Sequence, residues 1–277
     1  MTEYLDINGG RIAYESIGEG PLIVLQHGMG DMRQVFRFLA PKLAAAGYRV
    51  VSADMRGHGE SSMGWDSITR TDVAGDLVAL IRHLGGPAVI VGHSLGGGSA
   101  TIAAADEPEL ITAIVELNPF TKTQSLSVGG LLTNGRYRRG LLRLMGTGMF
   151  KSLKLWRSYL NVAYPTKPAD WDSYLAALTA KLQERGRFAE FMKTTKPTPA
   201  DAHAKLGDVN VPVLIVMGAA EPDFADPRAE GDAIVALLKP GLGAVVMIEN
   251  GGHYPHAQLP DQTAAAILSF LKEHPVA

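Results

Sequence analysis

The sequence predicts an α/β fold in which a mostly parallel central sheet is flanked by helices and interrupted once by an inserted helical cap. Three observations carry that reading. Brief apolar runs without polar alternation recur along the chain, as strands buried on both faces require. Segments with helical spacing separate those runs, giving the order strand, helix, strand, helix. One stretch of about 90 residues breaks the alternation with helical patterns and no convincing buried strand.

The chain opens on two short strand-like segments, 4–7 and 11–16, joined by Asn8-Gly9-Gly10, which admits positive φ in a tight hairpin. Buried runs follow at 22–25, 48–53, 88–91, 111–117, 211–217 and 244–248. Helical spacing fills 33–46, 68–84, 95–106, 226–239 and 261–273. The helical insertion, 119–208, divides a core domain made of 1–118 and 209–277.

Composition narrows the function classes. The 277 residues carry 26 Lys and Arg against 28 Asp and Glu, a net charge of −2, so charge implies no polyanionic partner and no nucleic acid. A hydrophobic share of 46% with 19% charged residues is that of a folded globular protein. Without cysteine there is no disulfide framework, thiolate metal site or thiol nucleophile. No basic segment leads into an apolar stretch at the N-terminus, and no window approaches the roughly 18 apolar residues of a membrane span. A cytoplasmic protein with no stable membrane association is expected, and a homodimer is left open.

The strongest motif is Gly92-His93-Ser94-Leu95-Gly96, which follows the run 88–91 and precedes the helical segment from Gly97. At such a junction the chain reverses sharply, and glycines at 92 and 96 remove Cβ atoms that would collide. Ser94 is thereby lifted above the sheet edge at a helix N-terminus, where developing negative charge is favoured. The bland reading is an ordinary glycine-rich turn.

A serine hydroxyl is a poor nucleophile at neutral pH, so it needs a base in reach and an acid to orient that base. His253 follows the last strand in a glycine-rich loop, at the sheet edge that should also carry Ser94, and is the expected base. Its competitor His256 lies closer to the final helix and reads as a flanking residue. The acid should follow the run 211–217, where Glu221, Asp223 and Asp226 compete. Asp226 precedes Pro227 and a helical segment, the pattern of a helix cap. Glu221 is favoured over Asp223 because it sits nearer the strand end, but the sequence leaves both open.

Two further loops complete the pattern. Gln26-His27-Gly28-Met29-Gly30 follows the run 22–25, and its glycines allow close packing on the nucleophile turn, so the N–H groups of Met29 and Leu95 could form an oxyanion hole. His27 reads as a loop anchor. Asp54-Met55-Arg56-Gly57-His58-Gly59-Glu60-Ser61 lacks the glycine and lysine spacing of a phosphate loop and reads as a buried, salt-bridged turn, with His58 structural.

With these loops in order, the chain resembles the α/β-hydrolase superfamily, in its esterase-like branch with a serine nucleophile and helical cap. The motifs HG-x-G at 27–30, D-x-R-G-x-G-x-S at 54–61 and G-x-S-x-G at 92–96 carry the resemblance, which spans 3–273 and covers the insertion only in kind. It implies Ser94 as nucleophile, His253 as base and Glu221 as acid, a departure from the Asp usual there. It also implies a small-molecule ester substrate and no metal or organic cofactor. Relatives that open epoxides or remove halogens use an Asp nucleophile, which Ser94 argues against. A carbon–carbon bond hydrolase, a lactonase and a slow-turnover ligand receptor are the alternatives on the same triad.

Between 121 and 165 the sequence holds eight Lys or Arg and no acid. Interleaved apolar residues suggest amphipathic helices with cations outward and an acyl pocket for short to medium chains beneath.

Overall fold

The computed structural model describes residues 1–275. Eight strands form one sheet in the order β1-β2-β4-β3-β5-β6-β7-β8. The hairpin of β1 (Glu3–Ile7) and β2 (Gly10–Ile17) turns through Asn8 and Gly9, with Gly9 at φ 95°, and β2 lies antiparallel to β4 (Arg49–Ala53). From β4 onward every pairing is parallel, through β3 (Leu22–Gln26), β5 (Ala88–His93), β6 (Ile111–Leu117), β7 (Val213–Gly218) and β8 (Gly243–Ile248).

The lack of alternation in these strands has a direct cause. Ile23, Leu25, Val89 and Val91 enter one apolar layer, while Val24, Ile90 and Ile114 enter the other. Successive side chains point to opposite faces, so both parities must be apolar when helices cover both. On the first face lie α1 (Leu39–Ala45) and the C-terminal α12 (Pro260–Glu273); on the second lie α2 (Arg70–His83), α3 (Leu95–Asp106) and α10 (Pro227–Val235). Thr69 begins α2 with a reciprocal pair of bonds to Asp72, and Asp226 caps α10 by accepting from Ala229 N–H at 3.0 Å ahead of Pro227.

Boundaries depart from the sequence pattern where proline intervenes. The span 33–46 divides into a 3-10 turn, Arg33–Phe36, and α1, which restarts so that Pro41 falls in a first turn where its missing N–H costs nothing. Strand β7 begins at Val213, after Pro212. A short helix, α11 (Pro255–Gln258), follows the last sheet loop and was not evident from periodicity.

Between β6 and β7 the described residues form helices and no strand: α4 (Val128–Thr133), α5 (Gly135–Phe150), α6 (Leu153–Ala163), α7 (Trp171–Gln183), α8 (Arg187–Lys193) and α9 (Ala200–His203). Trp156, Tyr159 and Leu160 of α6 are buried in the same apolar layer as β3 and β5, and Trp156 Nε1 donates to Gly30 O at 3.2 Å. At the other end of this segment, α9 rests on α2 and α3. Arg138, Arg139, Lys151, Lys154 and Arg157 do face outward, but they share that surface with exposed Leu132, Leu142, Met149 and Phe150, so the apolar side is only partly covered. No helix among the described residues is long and apolar enough to cross a membrane.

Candidate active site

Ser94 stands at the junction of β5 and α3 with φ 55° and ψ −116°, a conformation that L-residues rarely hold. Its neighbours enforce it. Ser94 N–H donates to Leu117 O at 3.0 Å, and Ser94 O accepts from Gly97 N–H at 3.0 Å and Phe120 N–H at 3.1 Å. A Cβ on Gly92 would lie 2.3 Å from Gly96 O, and one on Gly28 would lie 2.8 Å from Ser94 Cβ. Glycine at these positions is therefore a packing requirement of the serine turn and of the loop laid against it.

His253 lies in the loop after β8, buried, with its N–H donating to Ala163 O at 2.9 Å at the end of α6. Its carbonyl accepts from His93 Nε2 at 2.8 Å. The ring nitrogen Nδ1 lies 2.8 Å from Glu221 Oε2 and 3.4 Å from Asp223 Oδ2. The sequence reading set these two acids against each other; the structure brings both to one nitrogen. Asp223 reaches it because its N–H donates to Glu221 Oε1 at 2.9 Å, folding the loop back, and Tyr159 OH donates to Asp223 Oδ2 at 2.5 Å.

Burial disfavours charge on His253, but the neighbouring Glu221 and Asp223 carboxylates and the Glu221 hydrogen bond outweigh it and hold the imidazole above its usual range. For Asp223, burial dominates and pushes the carboxyl up to about 7, against the pull of His253. Glu221, Asp223 and His253 also place one donor atom each within 4.8 Å of one another, spacing that a cation could use. The bonds from Tyr159 and from the Asp223 amide fix the two carboxylates beside the imidazole.

The oxyanion reading placed Met29 and Leu95 side by side. Both line one cavity of about 810 Å³ together with Ser94 and His253. Among the described residues neither backbone N–H finds an acceptor. Two histidines fix this loop. His27 Nε2 accepts from Met55 N–H at 3.0 Å while its Nδ1 donates to Gly28 O at 2.7 Å; His58 Nε2 accepts from Gly30 N–H at 3.1 Å. Burial lowers them to about 4 and about 3 respectively, so both are neutral anchors. Beneath them Asp54 pairs with Arg33 and accepts from Glu60 N–H at 2.9 Å, closing the turn 54–61.

His256 is wholly buried between Phe36 and His93, with both ring nitrogens unpartnered among the described residues, and it does not line the cavity. Sequence reasoning missed Asn118. It follows β6 at φ 42°, its Nδ2 donates to Gly252 O at 2.8 Å and its Oδ1 accepts from Gly218 N–H at 2.8 Å. Asn118 thus ties the loop carrying Glu221 to the loop carrying His253. The only signal available was a polar residue ending an apolar run.

The fold and this arrangement of loops define a hydrolase of the α/β class, and the chain belongs to the Alpha/beta hydrolase family, whose profile matches residues 22–266. Over 98% of this chain and 95% of the relative it is 30% identical to 2-(acetamidomethylene)succinate hydrolase of Mesorhizobium japonicum. It is 26% identical to the pimeloyl-[acyl-carrier protein] methyl ester esterase of Neisseria meningitidis over 90% of this chain and 92% of that one. Among solved structures it superposes on epoxide hydrolase VrEH1 from Vigna radiata with a TM-score of 0.77 and 21% identity, covering 99% of this chain and 98% of that one.

Proposed function

We propose that the protein is a serine hydrolase that cleaves carboxylic esters of small to medium acyl chain through an acyl-enzyme. The observation that carries this reading is that Ser94, held on a strained turn, shares one cavity with His253, whose Nδ1 is engaged by Glu221. With Nδ1 so occupied, Nε2 is the nitrogen available to take the Ser94 proton. Ser94 Oγ attacks the ester carbonyl, and the N–H groups of Met29 and Leu95 receive the oxyanion, each such donor contributing roughly 3–4 kcal/mol in comparable sites. His253 then returns the proton to the leaving alcohol, and water repeats the cycle to free the acid. A hydroxyl nucleophile suits acyl transfer, which sets this chain apart from relatives that open epoxides with an aspartate.

The chemistry asks for a small-molecule ester and for no cofactor. The test is turnover of 4-nitrophenyl acetate and butyrate by the protein beside Ser94→Ala. A loss of about a thousandfold or more in kcat is expected, with a burst of nitrophenol marking the acyl-enzyme. Turnover that survives Ser94→Ala overturns the reading. Because His253 acts as base only when neutral and its proton is held more tightly than usual, kcat/KM should fall on the acid side through a pKa above about 6.5.

A further inference from the structure

Arg70 is the first residue of α2 and is 4% exposed, yet no carboxylate pairs with it among the described residues. Its Nε donates to Phe120 O at 2.8 Å, while Nη1 is buried and unpartnered. The side chain crosses α3 where Gly98 leaves room, since a Cβ there would lie 2.7 Å from Arg70 Cδ. Phe120 links it to the nucleophile, because Phe120 N–H donates to Ser94 O. Arg70 lines the same cavity as Ser94, and so does Gln124, whose Nε2 is likewise buried without a partner.

We propose that Arg70 and Gln124 form a carboxylate-binding subsite of the catalytic cavity, so that the substrate is an acyl compound bearing a free carboxylate. This deepens the serine-hydrolase reading and rests on it. A buried guanidinium whose one hydrogen bond goes to a carbonyl and which no carboxylate bonds recovers only part of its lost hydration, a cost that a bound anion reverses. Burial lowers Arg70 to about 10, with Asp201 of α9 pulling the other way, so the group stays cationic at neutral pH. A carboxylate lodged against Arg70 and Gln124 matches the single positive charge and offers acceptors to the guanidinium and the amide. The remaining wall is largely apolar, including Phe120, Leu144 and Met145, which suits a short hydrocarbon segment between carboxylate and scissile carbonyl. Lys196 stands exposed at the same cavity and adds to the attraction of anions at its mouth.

The experiment compares the mono-4-nitrophenyl ester of glutaric acid with 4-nitrophenyl pentanoate, which replaces the carboxylate by a methyl group. The wild type should prefer the charged ester in kcat/KM, and Arg70→Met should cut the charged-to-neutral ratio by about 30-fold or more, chiefly through KM. Gln124→Leu, on a loop and free of α2, should cut the same ratio by about 3- to 10-fold, which keeps the test valid if Arg70→Met folds poorly. A wild type without preference for the charged ester, or a ratio that both variants leave unchanged, overturns the proposal. If neither ester shows Ser94-dependent turnover, the serine-hydrolase reading fails by itself, and calorimetric binding of glutarate to the Ser94→Ala protein decides the subsite. Binding lost on adding Arg70→Met or Gln124→Leu upholds it; no binding, or binding indifferent to both, overturns it.

Discussion

Two acids meet one imidazole nitrogen, and their different partners assign them different work. Glu221 Oε2 lies closer to His253 Nδ1, at 2.8 Å against 3.4 Å for Asp223, and it is wholly buried. Asp223 spends its nearer oxygen on the Tyr159 hydroxyl and is pushed by burial toward a pKa of about 7. Glu221→Gln should therefore lower kcat/KM by about 10³- to 10⁴-fold, since the amide neither fixes the tautomer nor balances the imidazolium. Asp223→Asn should cost about tenfold or less. The pH profile separates these roles from a loss of fold. Burial opposes the charge on His253 and the Glu221 carboxylate sustains it, so removing that carboxylate must move the acid limb to lower pH, further than Asp223→Asn does. If Asp223→Asn has the larger effect on both rate and limb, the assignment reverses.

At the scale of elements, four loops at the C-terminal edge of the sheet bear the proposed catalytic residues, and close backbone approach joins the side-chain bonds of His27, His58 and Asn118 in setting their geometry. Gly92→Ala would drive a Cβ to 2.3 Å from Gly96 O, a backbone atom that can move only by opening the turn. Expected is a stability loss of about 2–4 kcal/mol by urea denaturation, with activity falling further than the unfolded fraction explains. Much of this was legible in the sequence, because a glycine at a close approach leaves a fixed spacing around the residue it serves: Gly92 and Gly96 about Ser94, Gly28 beside Met29. Asn118 and Arg70 leave no such mark. Asn118 acts by bridging Gly218 and Gly252, residues 100 and 134 positions away, and Arg70 matters because Gly98 and Phe120 receive it. The insertion was legible as helical and basic, yet its composition does not say which apolar residues stay outside. Leu132 is 77% exposed although it sits in the same kind of run as buried Leu160.

Across the whole molecule, the buried titratable groups oppose each other in their effect on stability. Burial lowers His27 to about 4 and His58 to about 3 and holds His93 and His256 well below the usual imidazole range. A depressed folded-state pKa gives stability that is present above the unfolded value, near 6.5, and lost as pH falls. Burial also raises Asp31, Glu116 and Asp223 to about 7. A raised carboxyl gives its full contribution below the unfolded value, near 4, and loses it as pH climbs to 7. Asp54, Asp76 and His253 are raised as well and act in the same direction as these carboxyls, so the lowered histidines and the raised groups offset each other between about pH 4 and 7. Glu116 isolates one half of this balance, because its side chain bonds to neither Ser94 nor His253 and accepts from Thr101 and Thr121 alone among the described residues. In Glu116→Gln the side chain is neutral at every pH, with a threonine hydroxyl turning to accept from its amide. Urea midpoints from pH 5 to 8.5 should show the variant gaining on the wild type by about 2–3 kcal/mol as pH rises, with the change centred between the unfolded and folded values. A difference that stays constant across that range would mean Glu116 is charged in the folded protein and that the neutral-side loss arises elsewhere.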